Sequence, residues 1–256
     1  MHSFEHFKQL HEGPAPLLLG NIWDATSATI FEKAGYKAIG TSSQAVASSL
    51  GYEDGEHMPF DSLLQLARQV VKSVDIPLTV DIEGGYSRSV AEIITHIEKL
   101  HDAGVAGINL EDSVVATSRT LQPVAAFEQT LSKIADHLSR KNLKMFLNIR
   151  TDGFLLGMPN ALAETLARIQ PYKEAGANGI FVPCITGIND IKAVVAATDL
   201  PVNVMCMPTL PNFAELTAAG VKRISMGPFL YAYIGKKAAE AASAIIHSDN
   251  FSLLFN

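Results

Sequence analysis

The sequence predicts an α/β protein, a (β/α)8 TIM barrel that takes up residues 1–256 as a single domain. Three observations lead there. Short apolar runs alternate with amphipathic stretches from Leu17 onward, giving eight strand–helix units. Four helical stretches close on one phrase, Lys33-Ala34-Gly35, Asp102-Ala103-Gly104, Glu174-Ala175-Gly176 and Ala218-Ala219-Gly220, each with a terminal glycine leading into a strand. The strand runs are apolar at successive positions, as in parallel strands covered by helices on both sides.

In order, residues 17–21 (Leu-Leu-Leu-Gly-Asn) are too short for a helix and follow two prolines, so they form the first strand. Asp24 caps a helix over 25–35. A strand at 37–41 precedes a polar stretch, 42–58, read as loop. The helix at 60–73 carries Leu63, Leu66, Val70 and Val71 on one face. Strand 78–81, helix 89–104 (stripe Ile93, Ile97, Leu100) and strand 107–110 complete the first half. The second half repeats the pattern: helix 124–138, strand 144–149, helix 161–176, strand 179–182, helix 190–197, strand 202–205, helix 212–220 and strand 223–226. A last helix, 229–247, is apolar on more faces than one barrel contact needs.

A formal net charge of -6 without a Lys/Arg block argues against nucleic acid as a partner. A hydrophobic fraction of 48% with 18% charged residues is that of an ordinary globular enzyme. The chain has no long uninterrupted apolar run, so no membrane partner is expected. Its opening, Met1-His2-Ser3-Phe4-Glu5-His6-Phe7, lacks the form of a secretion signal. Cys184 and Cys206 form neither a disulfide framework nor a metal motif. The expected location is cytoplasmic.

In such a barrel the chemistry belongs at the C-terminal ends of the strands. There the chain places Asn21, Trp23, Asp24, Thr41, Ser42, Ser43, Asp81, Glu83, Glu111, Asp112, Asn148, Arg150, Asp152, Asn203 and Ser225. Asp81 and Glu83 fall on one face if the strand stays extended, and two such anions call for a shared proton or a bound cation. Glu111, from the next strand, makes a third carboxylate for a hard cation. Arg150 suits a substrate carboxylate in a bidentate pair. The candidates facing the substrate are Trp23, Asp24, Thr41, Ser42, Ser43, Asp81, Arg150 and Asn203. Asp112 and Asp152 are read as turn caps, the two cysteines as small core residues, and His96 and His101 as solvated.

Five segments in this order, Asn21-Ile22-Trp23-Asp24-Ala25-Thr26-Ser27-Ala28, Val80-Asp81-Ile82-Glu83-Gly84-Gly85-Tyr86, Gly107-Ile108-Asn109-Leu110-Glu111-Asp112, Asn148-Ile149-Arg150-Thr151-Asp152 and Ala175-Gly176-Ala177-Asn178-Gly179-Ile180-Phe181-Val182, resemble the phosphoenolpyruvate mutase/isocitrate lyase superfamily. The resemblance runs over 17–237. It implies Mg²⁺ (or Mn²⁺) on Asp81, Glu83 and Glu111, partly through water. It further implies Asp54 in the active site, Ser42 and Ser43 donating to a 2-oxo acid carboxylate, and Arg150 on the substrate. Arg150, Asp54 and Glu111 are the catalytic candidates. A homo-oligomer, tetramer or dimer, with the last helix packed on a neighbouring subunit, is implied in the same way. Two departures stand out. Asp-x-Glu replaces the usual Asp-x-Asp, and the loop 113–123 (Ser-Val-Val-Ala-Thr-Ser-Arg-Thr-Leu-Gln-Pro) has neither the Cys of isocitrate-type lyases nor a Lys. The expected activity is therefore Mg²⁺-dependent carbon–carbon cleavage of a small 2-oxo or 2-hydroxy di- or tricarboxylate, oxaloacetate-type decarboxylation first. Two alternatives are a C–P hydrolase or mutase, its hydroxyl drawn from Thr117, Ser118 or Thr120, and a non-catalytic 2-oxo acid binder.

Overall fold

A computed structural model describes residues 4–115 and 117–255. Met1, His2 and Ser3 of the signal-peptide reading, Ala116 of the loop reading and Asn256 lie outside the described residues. The chain opens with α1 (Phe4–Gln9), β1 (Leu17–Ile22), α2 (Ala25–Lys33), β2 (Ile39–Thr41), α3 (Ser43–Ser49), α4 (Phe60–Ser73) and β3 (Leu78–Asp81). Next come α5 (Val90–Asp102), β4 (Gly107–Glu111), a hairpin of β5 (Ser113–Val115) and β6 (Arg119–Leu121), α6 (Val124–Arg140) and β7 (Phe146–Arg150). It ends with α7 (Ala161–Glu174), β8 (Gly179–Val182), α8 (Ile188–Ala196), β9 (Val202–Met205), α9 (Phe213–Ala218), β10 (Arg223–Ser225) and α10 (Phe229–Ser248).

The parallel strands β1-β2-β3-β4-β7-β8-β9-β10 close on themselves, Leu17 pairing with Arg223 and Leu18 with Ile224. Helices cover the outside with the expected stripes: α4 buries Leu63, Leu66, Ala67 and Val70, and α5 buries Ile93, Ile97 and Leu100. Fully burying one such side chain contributes about 1.5–3 kcal/mol, so these stripes, rather than helix propensity, hold the shell on the barrel. The N-terminal end is plugged by α1. Phe7 meets Phe146 edge-on at 5.3 Å, and His11 stacks on Phe146 at 4.7 Å. Close packing there leaves Gly107 no room for a side chain, since a Cβ would stand 2.9 Å from the Phe146 carbonyl oxygen.

Three parts of the molecule differ from the sequence reading. The polar stretch 42–58 contains α3, a helix of small residues begun by Ser42, whose hydroxyl accepts from Ala45 N–H at 3.4 Å. Its alternating Ala and Ser residues carry too little hydrophobic contrast to announce a helix. The segment after β4 is an antiparallel hairpin, with Ser113 opposite Leu121 and Val115 opposite Arg119. His96 is not simply solvated: its ring stacks on Phe60 at 3.8 Å and its Nδ1 lies 2.9 Å from the Gly85 carbonyl oxygen.

Candidate active site

A cavity of about 520 Å³ opens at the C-terminal mouth of the barrel. Its wall includes six of the expected residues: Thr41, Ser42, Ser43, Asp54, Asp81 and Arg150. Among the other lining residues are Asn21, Asn109, Arg119, Cys184 and Ser225. Trp23 and Asp24 stand outside it. Trp23 packs edge-on against Tyr231 of α10 at 5.2 Å, and Asp24 caps α2, its Oδ1 accepting from Ser27 N–H at 2.6 Å. Asn203 lies beneath the cavity in the barrel interior, accepting from Asn148 Nδ2 at 3.2 Å and donating to Ser225 Oγ at 3.2 Å.

The acid pair differs from its expected geometry. β3 ends at Asp81, and Glu83 takes a left-handed conformation at φ 49°, so the two carboxylates are set by a turn rather than by strand alternation. Gly85 makes that turn possible. Its φ is +101°, and a Cβ there would stand 2.7 Å from Ile93 Cγ1. Thr41 Oγ1 accepts from Asp81 N–H at 2.8 Å, and Asp81 accepts from Glu83 N–H at 3.2 Å and from Ser43 Oγ at 3.3 Å. Glu83 Oε1 accepts from Glu56 N–H at 3.0 Å, whereas its Oε2 is buried without a hydrogen-bond partner. Burial, then the charges of Asp81, Asp54 and Glu111, push the Glu83 carboxyl up to about 8. Burial also raises Asp81, against the opposing pull of Arg150.

Across the mouth, Glu111 and Asp152 meet two guanidiniums. Arg150 Nε donates to Asp152 Oδ1 at 2.6 Å and Nη2 to Oδ2 at 3.2 Å, and its Nη1 stands 3.0 Å from Glu111 Oε2. Arg119 Nη1 contacts Glu111 Oε1, Ser113 Oγ at 2.9 Å and Asp152 Oδ2 at 3.1 Å. Burial raises Glu111 to about 7 even though both arginines pull it down. Asp152, read from sequence as a cap, is an arginine anchor. Its position two residues beyond Arg150 in extended chain was the available signal. Arg119 was missed because three-residue hairpin strands carry no readable periodicity. Cys184 is not a core residue either. It lines the cavity at φ 64°, and burial raises its thiol, while Cys206 is exposed.

Below the cavity a polar ladder crosses the lumen. Asn109 Oδ1 accepts from Asn148 Nδ2 at 2.8 Å and from Arg223 Nη2 at 3.3 Å, which commits the amide oxygen and leaves its NH₂ for the cavity wall. Arg223 is 1% exposed and is held down to about 9 by burial, partly offset by Asp81.

Among the described residues no three His, Cys, Asp or Glu side chains are gathered so as to hold a metal ion. Glu111, the third expected ligand, is paired with the two arginines. The remaining pair still fits a hard cation. Asp81 and Glu83 are both raised chiefly by burial, Glu83 also by the charges of Asp81, Asp54 and Glu111, and among the described residues Glu83 Oε2 has no hydrogen-bond partner. Mg²⁺ is commonly held by one or two carboxylates, with water and substrate oxygens completing its shell.

This is a parallel barrel carrying an acidic edge and an arginine-held edge around one mouth, the layout of a small-molecule enzyme site. The chain belongs to the phosphoenolpyruvate phosphomutase family, whose sequence model matches residues 7–246. It is 32% identical over 239 residues to an uncharacterised protein of Mycobacterium tuberculosis, covering 93% of this chain and 88% of that one. It is 27% identical over 231 residues to an oxaloacetate decarboxylase of Bradyrhizobium diazoefficiens, covering 87% and 77%. The solved structure of a candidate phosphonomutase from Burkholderia cenocepacia superposes with a TM-score of 0.89 at 37% identity, covering 94% of this chain and 99% of that chain. Among the described residues no helix is long and apolar enough to cross a membrane.

Proposed function

We propose that this protein is a Mg²⁺-dependent carbon–carbon lyase of small 2-oxo or 2-hydroxy di- or tricarboxylates, with decarboxylation of an oxaloacetate-type acid as its reaction. The observation that carries the reading is that Asp81 and Arg150 line one cavity, with the buried Glu83 carboxylate next to Asp81 behind its wall. When bound at Asp81 and Glu83, the cation supplies Lewis-acid stabilisation of negative charge on substrate oxygens. Arg150 has one N–H on Nη1 and one on Nη2 beyond its bonds to Glu111 and Asp152, and these hold the substrate carboxylate. As the bond to the departing carboxylate breaks, its electron pair moves onto the former keto oxygen, and Arg150 stabilises that charge. Ser42 and Ser43 offer hydroxyls on the same wall, and the role given to Asp54, which also lines it, is to handle the proton that returns to carbon. Glu111 acts by holding Arg150.

The similarity to a candidate phosphonomutase favours C–P chemistry as the second reading. Against it, Thr117, Ser118 and Thr120 are exposed and none lines the cavity. A homo-oligomer is part of the proposal. No residue of α10 is buried, Tyr233, Ile234 and Ile246 are exposed, and an apolar groove lined by Tyr36, Leu210, Phe213 and Leu230 runs beside them.

The test is product release with Mg²⁺ from oxaloacetate, 2-methylisocitrate, isocitrate, dimethylmalate and phosphonopyruvate, following pyruvate, glyoxylate and phosphate, with Asp81→Ala as blank. Pyruvate from oxaloacetate above the blank is expected. Phosphate from phosphonopyruvate alone supports the second reading, and binding without any product supports a non-catalytic binder.

A further inference from the structure

Arg119 is the one charged group that the segment after β4 brings to the cavity, and the role proposed for Arg150 does not use it. It stands opposite Val115 in the hairpin, and that hairpin is docked rather than loose. A Cβ on Gly55 would meet Val115 Cγ1 at 3.3 Å. Arg88 Nη2 reaches the Val115 carbonyl oxygen at 3.5 Å and pairs with Glu56 at 2.7 Å. The hairpin is thereby tied at Val115 to the chain next to Glu83, since Glu56 N–H donates to Glu83 Oε1.

Arg119 and Arg150 touch the same two carboxylates, so the guanidiniums sit side by side. Among the described residues only Nη1 of Arg119 is engaged there, which leaves the three N–H groups of Nε and Nη2 for an occupant of the cavity. Two arginines balanced by Glu111 and Asp152 cost little to hold together, yet each keeps an edge that matches a planar anion. A substrate with one anionic group satisfies Arg150 and leaves the Arg119 edge facing apolar substrate atoms.

We propose that Arg119 determines specificity by receiving a second anionic group of the substrate, a carboxylate or a phosphonate, while Arg150 receives the first. The inference rests on the 2-oxo or 2-hydroxy acid reading of the cavity and names the side chain that receives the second anionic end.

The experiment is calorimetric titration of the Mg²⁺-loaded protein with a matched series: lactate, malate and 2-hydroxy-3-phosphonopropanoate. These share a 2-hydroxy acid end and differ in having no second anion, a carboxylate or a phosphonate. Wild type is expected to bind malate or the phosphonate on the order of tenfold more tightly than lactate, and whichever is favoured names the second group. Arg119→Gln should collapse that ratio towards one. Arg119→Lys, which keeps the charge and loses the fork, should retain part of it. Because Arg119→Gln leaves the Glu111 and Asp152 charges less compensated and Arg119→Lys changes their hydrogen bonds, the ratio between ligands is read rather than any single affinity, with thermal melting confirming the fold. An unchanged ratio in Arg119→Gln overturns the role given to Arg119 and leaves the 2-hydroxy acid site standing. If wild type binds none of the three, lactate included, the acid-site reading falls and this inference with it.

Discussion

The two edges of the barrel mouth use the same residue type in opposite ways. On the β3 side Asp81 and Glu83 are buried beside Asp54, among the described residues no cationic side chain is bonded to them, and the Glu83 carboxyl is pushed up to about 8. On the β4–β7 side Glu111 and Asp152 are equally buried, yet each is bound by Arg119 and Arg150. The first edge has negative charge to spare. The second is balanced and offers the outer faces of two guanidiniums. Burying a charge is expensive unless it is paired, and the proposed function accordingly gives a cation to one edge and an anion to the other.

Breaking the arginine edge should have the largest effect after loss of the acid pair. Arg150→Gln removes the outward N–H pair and frees Glu111 and Asp152, and kcat/KM for the active substrate should fall by about 10²–10³. A fall below tenfold would remove Arg150 from the reaction.

The acid edge can be sharpened through pH. The Glu83 carboxyl titrates at about 8 when folded, against an ordinary value of 4.5. The folded, metal-free protein therefore keeps a proton that the unfolded chain gives up, so the stability held below 4.5 declines as pH rises to about 8. Thermal midpoints of metal-free protein should fall across that window. Glu83→Gln should make the decline shallower, though not flat, since Asp81 and Glu111 are also raised. A profile identical to wild type would mean that Glu83 is already ionised.

The smallest effect should come from outside both edges. Asp24→Ala removes the cap of α2 at a cost of about 1 kcal/mol in chemical denaturation. The turnover constants should stay within about twofold, and a larger loss would return Asp24 to the site.

The fold was legible because its signals are local and repeated. A glycine after each of several helices and an apolar run after each glycine need no long-range information. The residues on the strand ends were legible for the same reason, since the barrel fixes where strands end: Thr41, Ser42, Ser43, Asp81 and Arg150 all line the cavity. What was not legible depends on chain turning or pairing at a distance. Glu83 shares a face with Asp81 only if the chain stays extended past the strand, but a left-handed turn sets its direction. Arg119 reaches Asp152, 33 positions away, from a hairpin whose register no sequence pattern states. Trp23 sits at a strand end yet serves the α10 contact, because a residue just past a strand can turn either way, whereas the Asp24 cap was legible from the helix that follows it.

The central claim is that the acid edge holds a divalent cation while the arginine edge does not. Its most direct test is calorimetric titration of metal-free protein with Mg²⁺, comparing wild type, Asp81→Asn and Arg119→Gln. The account predicts one Mg²⁺ per chain in wild type and in Arg119→Gln, and its loss in Asp81→Asn. Equal binding in wild type and Asp81→Asn would contradict it.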